Sequence, residues 1–472
     1  MKNLPRRFPK ILMKINNVAS SYRDPSGFVF KINKRILRQV NFNYRENYDF
    51  LMRSGLYNRL ISNSLLVPHK EVTISQSQQA AYKILEPCLI PFISYPYEWC
   101  FSQLKDAALL TLQIQKISLS YNMSLKDASS FNIQFMSGKP IFIDTLSFEK
   151  YEEGKPWIAY RQFCEQFLAP LALSAYSDIR LIKLLQTHIN GVPLDLAVKL
   201  LPLTSRLKLS LLLNIFLHAR SYRSLTDKSL DKEKIRSFRK NSLLGLIESL
   251  EDGVKSLHIK RNKTVWSHYY TDKTCLNYNK KSLGEKKSIV NKYLSVLHPE
   301  SLWDIGSNTG IFSRISEKIG IPTISIDNDP SVVEQNYLMT KQNGERNLLP
   351  LCIDIMNPTP AIGWGNKERD SFLSRPLPDT ILALAIIHHL AISNNLSISK
   401  LSQFFAHLCS SLIIEFVPKE DKKVRLLLKN RADIFDDYNE SKFEKEFSRF
   451  FTINQKSKIP ESERVLYLMI KK

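Results

Sequence analysis

Apolar runs alternate with amphipathic stretches in the C-terminal half of the chain, from about Ser288 onward. The amphipathic stretches carry an apolar residue every three or four positions, which predicts helices. The apolar runs are continuous, as expected for strands covered on both faces of a sheet. Strands alternating with helices predict an α/β fold with a doubly wound, mostly parallel sheet. The strand-like runs are SLWDIG, PTISIDND, LLPLCIDI, DTILALAIIHHL and SSLIIEFV.

The N-terminal half has a different pattern. Residues 1–60 are mixed and basic, and Ser102 to Ser118 have helical apolar spacing. Two short strand-like runs, NIQF and PIFIDTL, then flank a Ser-Gly turn, and from Pro156 to about Leu250 the spacing is mostly helical again. These patterns predict an α+β, mostly helical domain. We place a boundary near residue 255, between an accessory domain at 1–255 and a second domain at 256–472.

The charge balance is the one unusual bulk property of the chain. Lys and Arg number 67 against 45 Asp and Glu, which gives a formal net charge of +22. Such an excess fits a polyanionic partner, such as RNA, an acidic glycan or an anionic membrane surface. The basic residues are spread along the whole chain instead of forming one tail, so the charge alone does not decide the function.

The cysteines and the apolar runs narrow the class of protein. None of the six cysteines forms a C-x-x-C pair, so we expect neither a metal site nor a disulfide framework. A reduced cytoplasm is the compartment that fits. The longest apolar run, Leu209 to Ala219, is too short to span a bilayer and is flanked by basic residues. It predicts a buried helix, and no transmembrane segment is expected.

The loop after the first strand of the C-terminal half reads DIGSNTG, Asp304 to Gly310. In an open parallel sheet, ligands lie outside the carboxyl ends of the strands, where glycines let the backbone approach them closely. A phosphate-binding P-loop would need a lysine after the second glycine, and a dinucleotide fold would have G-x-G-x-x-G. This loop has neither. S-adenosylmethionine carries no pyrophosphate but has a positive amine, which suits an acid at the start of the loop.

Together with later strand ends, this loop resembles the first motif of class I S-adenosylmethionine-dependent methyltransferases, D/E-x-G-x-G-x-G. Asp304, Gly306 and Gly310 match that motif, whereas Asn308 replaces its middle glycine. The resemblance covers the domain at 256–472 and implies a Rossmann-like fold with S-adenosyl-L-methionine as cofactor. We expect Asn308 to cost little, since a small polar residue can cap the turn.

The resemblance also implies roles for the ends of the next two strands. Asp327 would accept hydrogen bonds from the ribose hydroxyls, as in the related dinucleotide folds, with Asn328 beside it. Asp354 would accept a hydrogen bond from the adenine amino group, and Ile355 would pack near the ring. Acids at the ends of three successive strands are far more specific than one glycine loop.

Candidate catalytic residues follow the fourth and fifth strands. His388 and His389 leave the sheet where this family places its substrate chemistry, and a histidine suits the removal of a proton from an acceptor hydroxyl. One of the two could instead pack beneath the loop. Glu415 and Asp421 are second candidates, to contact substrate or to orient a histidine. The absence of a D/N-P-P-Y/F stretch and of a cysteine nucleophile at these strand ends argues against methylation of a nucleobase.

A second constellation lies in the N-terminal half. Asp127, Asn132 and Asp144 have a spacing that resembles the catalytic segment of kinase-like phosphotransferases, which implies that Asp127 orients a hydroxyl and the other two bind metal. Several features depart from that pattern. Lys126 precedes the first acid, Asp-Thr-Leu replaces Asp-Phe-Gly, and neither a glycine-rich loop nor a V-A-I-K-like strand is evident. An accessory domain that uses these acids for internal hydrogen bonds or substrate binding is the alternative.

The leading hypothesis is a methyltransferase that acts on a small-molecule or glycan acceptor, at oxygen. The alternatives are an RNA or protein methyltransferase, favoured by the charge of +22, and a kinase-like binding module that carries an inactive methyltransferase domain. At the level of motifs, LKDASSFNIQF ahead of WDIGSNTG also resembles a group of bacterial two-part methyltransferases that includes nodulation-type proteins. That resemblance assigns no acceptor.

Overall fold

The computed structural model describes residues 15–33, 35–74, 81–220, 239–259, 280–429 and 432–472. Its π-helical turns are Cys164–Leu168, Leu212–Leu217 and His389–Ser393. Its α-helices are Arg45–Arg53, Leu56–Ser62, Phe101–Ser120, Tyr160–Phe163, Ala169–Tyr176, Leu184–Thr187, Leu194–Leu200, Leu209–Leu211, Lys240–Ser256, Lys280–Leu297, Ser313–Lys318, Pro330–Asn343, Ile398–Leu408, Lys422–Leu428 and Glu440–Phe447.

The N-terminal half opens with a five-stranded antiparallel sheet, which the sequence pattern does not predict. Its order is β1-β2-β3-β5-β4. Exposed and half-buried positions interrupt the buried ones along the second and third strands, so the sheet lacks the continuous apolar runs of a fully covered one. The strands are β1 Ile15–Asn17, β2 Gly27–Ile32, β3 Arg35–Asn41, β4 His69–Glu71 and β5 Ala81–Pro87.

A long buried helix and two small strand pairs follow this sheet. The helix Phe101–Ser120 extends the predicted helix by one residue at its start and two at its end. The predicted hairpin is confirmed as β7 and β8, which pair antiparallel around Ser137 and Gly138, both with positive φ. The four strands are β6 Met123–Leu125, β7 Ile133–Met136, β8 Lys139–Phe142 and β9 Phe148–Lys150.

The C-terminal half has the predicted Rossmann-like fold, a seven-stranded sheet in the order β12-β11-β10-β13-β14-β16-β15. The five predicted strands, β10 to β14, are parallel, and β16 runs antiparallel between β14 and β15. The antiparallel edge is absent from the sequence prediction. The strands are β10 Leu302–Ile305, β11 Thr323–Asp327, β12 Leu348–Cys352, β13 Thr380–Ala383, β14 Ser411–Phe416, β15 Phe451–Lys458 and β16 Val465–Lys471.

Buried polar contacts join the two halves. Arg375 and Glu98 form an ion pair, with Arg375 only 4% and Glu98 only 1% exposed. Gln103 donates to the carbonyl of Pro350 at 2.9 Å. The halves are therefore packed together through interior contacts and not only through surface residues. Among the described residues, no helix is both long and apolar enough to cross a membrane.

Candidate functional site

The glycine loop leaves the sheet at the carboxyl end of β10 with three residues in the left-handed region. Gly306 has φ of +73°, Asn308 +52° and Gly310 +75°. Asparagine is one of the few residues other than glycine that adopts this conformation readily. The side-chain oxygen of Asn308 also accepts the backbone N–H of Thr309 at 2.8 Å. The departure from the glycine motif at Asn308 is therefore compatible with the same backbone path.

The next strand end holds Asp327 against this loop. The backbone N–H of Asn308 donates to one carboxylate oxygen at 2.8 Å, and the N–H of Asp329 donates to the other at 3.0 Å. Burial raises the pKa of Asp327 to about 6, an effect that these N–H donors oppose. The carboxylate is thus fixed in position, while each of its oxygens keeps further acceptor capacity.

A cavity of about 260 Å³ opens at the carboxyl ends of β10 to β13. Seven of the predicted site residues line it, from the glycine loop, from two successive strand ends and from the turn after β13. The structure therefore brings most of the predicted cofactor-binding residues to one cavity. These seven are Gly306, Asn308, Asp327, Asn328, Asp354, Ile355 and His389.

Local backbone geometry fixes two opposite walls of this cavity. Asp354 is half-buried, and its carboxylate accepts the N–H of Met356 at 2.9 Å, which fixes the turn after β12. Across the cavity, Ala385 has φ of +53°, a costly conformation for a residue with a Cβ. A Cβ at Gly306 would lie 3.0 Å from Ile386 Cδ1, so the glycine allows a close approach of loop and wall.

Asp304 and Gly310 lie outside the cavity lining, although both belong to the glycine motif. Asp304 is buried under the loop, where it accepts the hydroxyl of Ser313 at 2.6 Å, and burial raises its pKa to about 6. A Cβ at Gly310 would lie 2.5 Å from Asn336 Oδ1 and 2.7 Å from the Arg314 guanidinium. These two motif residues therefore shape the loop in this structure and do not face the open space.

Glu415 does not reach the cavity either. Its side chain is fully buried and pairs with Lys286 at 2.6 Å and with Arg464 at 3.4 Å. Arg464 also binds Asp421 at 2.7 Å. This placement favours a structural role for Glu415 and Asp421 over the contact with substrate that the sequence suggested, because both carboxylates are committed to buried cations.

The two histidines differ in position. His389 is half-buried and lines the cavity, whereas His388 is 2% exposed and lies behind it, with the ring centroids 4.2 Å apart. Burial lowers the pKa of both, and the positive charges of Lys423 and Arg464 add to the effect on His389. Both rings are therefore neutral near pH 7, and of the two only His389 lines the cavity.

The N-terminal constellation also converges on one space. Asp127, Asn132 and Asp144 line a cavity of about 520 Å³ between the antiparallel sheet and the helical part of the domain. Asp127 accepts the side-chain N–H of Gln162 at 2.8 Å, and burial raises its pKa. Within the described ranges, no group of three or more His, Cys, Asp and Glu is arranged to hold a metal ion.

Arg38 of β3 reaches across this cavity to Asp144, with a nitrogen to oxygen distance of 2.6 Å. In protein kinases a lysine on the third strand binds the nucleotide phosphates. Arg38 therefore supplies a cation on the third strand, where sequence reasoning found none because it searched for a V-A-I-K-like lysine. The C-terminal half contributes Glu368, Arg369 and Asp370 to the rim of the same cavity.

Sequence reasoning also missed two polar residues of the cavity at the C-terminal sheet. Ser393 and Asn394 line it from the end of the π-helical turn His389–Ser393. Their spacing of four and five residues from His389 is the only available signal, since it corresponds to one turn of a helix. A π-helical turn frequently marks a functional site, although the sequence does not predict one here.

No family model matches the chain. Among solved structures, it is similar to the magnesium protoporphyrin IX methyltransferase of Synechocystis PCC 6803 with bound SAH, at 15% identity and a TM-score of 0.32 over 44% of this chain and 92% of that one. It is also similar to the N-methyltransferase NodS of Bradyrhizobium japonicum WM9, at 13% identity and a TM-score of 0.31 over 41% and 98%. The bifunctional kinase-methyltransferase WbdD gives 14% identity and a TM-score of 0.30 over 41% and 40%. Likenesses at this level carry no conclusion about activity.

The sequence relationship is much stronger. Nodulation protein NoeA of Rhizobium meliloti (strain 1021) is 35% identical over 458 residues, which are 95% of this chain and 95% of the relative. The match therefore includes both halves of the molecule. The chain belongs to the family of nodulation protein NoeA.

Proposed function

We propose that the protein is an S-adenosylmethionine-dependent methyltransferase whose cofactor occupies the cavity at the C-terminal sheet. The proposal rests on the position of Asp327. The N–H of Asn308 holds its carboxylate at the mouth of the glycine loop. Asp327 lines the same cavity as Asp354 and His389. One acid suits two ribose hydroxyls and the other suits an exocyclic amine, since each carboxylate oxygen accepts more than one hydrogen bond.

The shape of the cavity supports this ligand. Glycine fits at position 306 because a Cβ there would lie 3.0 Å from Ile386 Cδ1, and both residues line the cavity. Ile355, Ile353 and Leu390 add apolar walls. The combination of apolar walls with a few placed polar groups is typical of small-molecule sites.

The acceptor we propose is a hydroxyl of a small molecule or glycan. When bound, S-adenosylmethionine supplies a methyl carbon on a sulfonium. The methyl group would pass to the acceptor oxygen, and S-adenosylhomocysteine would be the other product. His389 takes the hydroxyl proton, because its neutral ring can accept one and it lines the cavity.

The experiment that tests the proposal has two stages. Calorimetry of the full chain with S-adenosylmethionine comes first, and absence of binding at millimolar cofactor would reject the assignment. Transfer of a labelled methyl group to pools of glycans, small metabolites, RNA and protein then identifies the acceptor class. Labelling of RNA, together with salt-dependent RNA binding, would replace the hydroxyl proposal with the nucleic-acid alternative.

Separate replacement of each histidine distinguishes the roles of the two. Replacement of His389 by Gln should lower the rate of methyl transfer about a hundredfold, the usual contribution of a positioned base, and leave the affinity for S-adenosylmethionine almost unchanged. His388→Gln is the matched control, because that ring lies behind the cavity and should affect mainly the free energy of unfolding. Equal rates for wild type and His389→Gln would remove the base from the mechanism.

A second candidate function concerns the N-terminal cavity. The convergence of Asp127, Asn132 and Asp144 opposite Arg38 favours a nucleotide site, with phosphotransfer as the reaction that these residues could support. The pair between Arg38 and Asp144 must open before Asp144 can bind a cation. We propose that this module binds nucleotide; transfer of phosphate would require that opening.

Nucleotide binding distinguishes the possibilities for this cavity. We expect Mg²⁺-ATP to bind in calorimetry, and Asp144→Asn to weaken that binding about tenfold through loss of a charged ligand. Asp127→Asn should retain binding and abolish any phosphotransfer. The control is Asp178→Asn, because the half-buried Asp178 lies outside the cavity. If Mg²⁺-ATP does not bind at millimolar concentration, these acids serve internal hydrogen bonds alone.

We also propose a cytoplasmic location for the protein. The described cysteines are free thiols, and four of the five are buried. Such thiols persist in a reducing compartment.

A further inference from the structure

Exposed leucines are concentrated in one segment of the N-terminal half. Leu203 is 72% exposed, Leu207 86% and Leu209 67%. Single exposed apolar residues are ordinary, but a contiguous group marks an interaction site. We call the group the leucine surface; its members are Leu200, Leu203, Leu207, Leu209, Leu213 and Leu217.

The leucine surface forms one continuous face of the molecule. Leu209, Leu213 and Leu217 recur every fourth residue, which places them on the same side of the helical segment 209–220. The 3-10 turn Leu203–Leu207 packs against the π-helical turn Leu212–Leu217, so the two exposed sets are neighbours.

The opposite side of this segment already has its partner. Leu211 and Ile215 are buried in the core of the N-terminal half, and the helix Leu209–Leu211 packs against Lys240–Ser256. A helical segment that is apolar all round is normally covered on all sides. The sequence accordingly predicted a buried helix at Leu209 to Ala219, yet the structure buries only one side of it. The outer side stays exposed.

The charges around the leucine surface indicate what covers it. From residue 196 to residue 226 the sequence has no Asp or Glu, whereas Lys199, Arg206, Lys208 and Arg220 interleave with the leucines. All four of these basic residues are exposed. Leucines flanked by cations, with no acid between them, are complementary to a membrane interface. The leucines suit the apolar acyl chains, and the cations suit the anionic headgroups.

We infer that the leucine surface docks the protein on bilayers that contain anionic lipids. The segment lies in the plane of the interface, inserts its leucines at the boundary of headgroups and acyl chains, and sets its basic side chains among the lipid phosphates. It does not span the bilayer, in agreement with the short length of its apolar run. The inference is independent of methyl transfer and of nucleotide binding, because none of its residues lines either cavity.

Co-sedimentation of the full chain with vesicles tests this inference. Binding to vesicles of three parts phosphatidylcholine to one part phosphatidylglycerol should exceed binding to pure phosphatidylcholine about tenfold. Arg206→Glu and Lys208→Glu should each weaken it more than about fivefold, because each change removes a cation near an anionic surface, worth about fivefold by itself, and adds an anion. The triple change Leu203→Ser, Leu207→Ser and Leu209→Ser should weaken it about tenfold or more through lost apolar burial.

Matched controls keep the result specific. Lys292→Glu and Leu338→Ser alter an exposed lysine and an exposed leucine on other faces, and both should bind vesicles like wild type. Unchanged S-adenosylmethionine affinity in the variants shows that they are folded; if that ligand does not bind, near-ultraviolet circular dichroism serves instead. Full vesicle binding by the triple serine variant overturns the inference. So does lipid-free self-association that depends on these leucines, since the surface would then be an interface between two copies.

Discussion

Replacement of Asp327 by alanine should lower the affinity for S-adenosylmethionine about a hundredfold, because two hydrogen bonds to a charged acceptor are lost at once. The measurement is calorimetry on the full chain. The affinity of Asp327→Asn should lie between those of the wild type and Asp327→Ala, because an amide keeps one acceptor oxygen. Unchanged affinity of Asp327→Ala would show that the cavity does not hold the ribose of this cofactor.

Asp329 offers the matched control for that change. It follows Asp327 by two residues, but its side chain caps the helix Pro330–Asn343 by accepting the N–H of Ser331 at 2.8 Å. Asp329→Asn preserves a good cap and removes one negative charge next to the cavity. It should leave the cofactor affinity within about twofold of wild type. A loss equal to that of Asp327→Ala would point to general electrostatics instead of a specific contact.

The same carboxylate makes the affinity depend on pH. Burial raises the pKa of Asp327 to about 6, so in the free protein the group is largely protonated below pH 6 and ionised above it. The ionised form is the better acceptor for ribose hydroxyls. The affinity should therefore fall as the pH is lowered through 6, by up to about tenfold per pH unit. This part of the pH dependence should be absent in Asp327→Asn.

Replacement of Glu415 by alanine should lower the free energy of unfolding by about 3–5 kcal/mol, the cost of stranding a buried charge. The change removes the carboxylate that Lys286 contacts at 2.6 Å and that Arg464 contacts at 3.4 Å. Burial already lowers the pKa of Lys286, so this lysine is poorly solvated even with its partner present. Urea unfolding of the full chain measures the effect.

A double variant separates this structural role from a catalytic one. Lys286→Met with Glu415→Leu removes both charges together and should recover most of the lost free energy of unfolding, because apolar replacements of buried pairs are often neutral. Methyl transfer should then return along with stability. A double variant that is stable and binds cofactor but transfers no methyl group would restore Glu415 as a residue of the reaction.

The sequence predicted the C-terminal half well for a physical reason. Strands β10 to β14 are covered on both faces, so their apolar runs are continuous and their ends are easy to read. The acids Asp327 and Asp354 then fall at strand ends, where a parallel sheet brings them together. Asn308 could be accepted at a glycine position because it tolerates the left-handed conformation.

Other features were hidden because their signal is not local. The strands of the N-terminal sheet mix buried, half-buried and exposed positions irregularly and carry charged residues, and Arg38 contacts Asp144 only in the folded chain. The role of Glu415 depends on Lys286 and Arg464, which are far from it in the sequence. Glu415 lies at the end of a strand, close to the candidate catalytic residues in the sequence, so a contact with substrate was predicted for it. The buried positions of Lys286 and Arg464 could not be inferred from the spacing of residues in the sequence.

The ion pair between Glu98 and Arg375 bears on how the molecule can be dissected. A cut near residue 255, where the sequence pattern changes, would leave each half with one member of this pair and with no counter-charge in its interior. Gln103 would likewise lose the carbonyl of Pro350. We therefore expect the whole chain to be the better unit to produce, and a separately made half to need polar replacements at its newly exposed face.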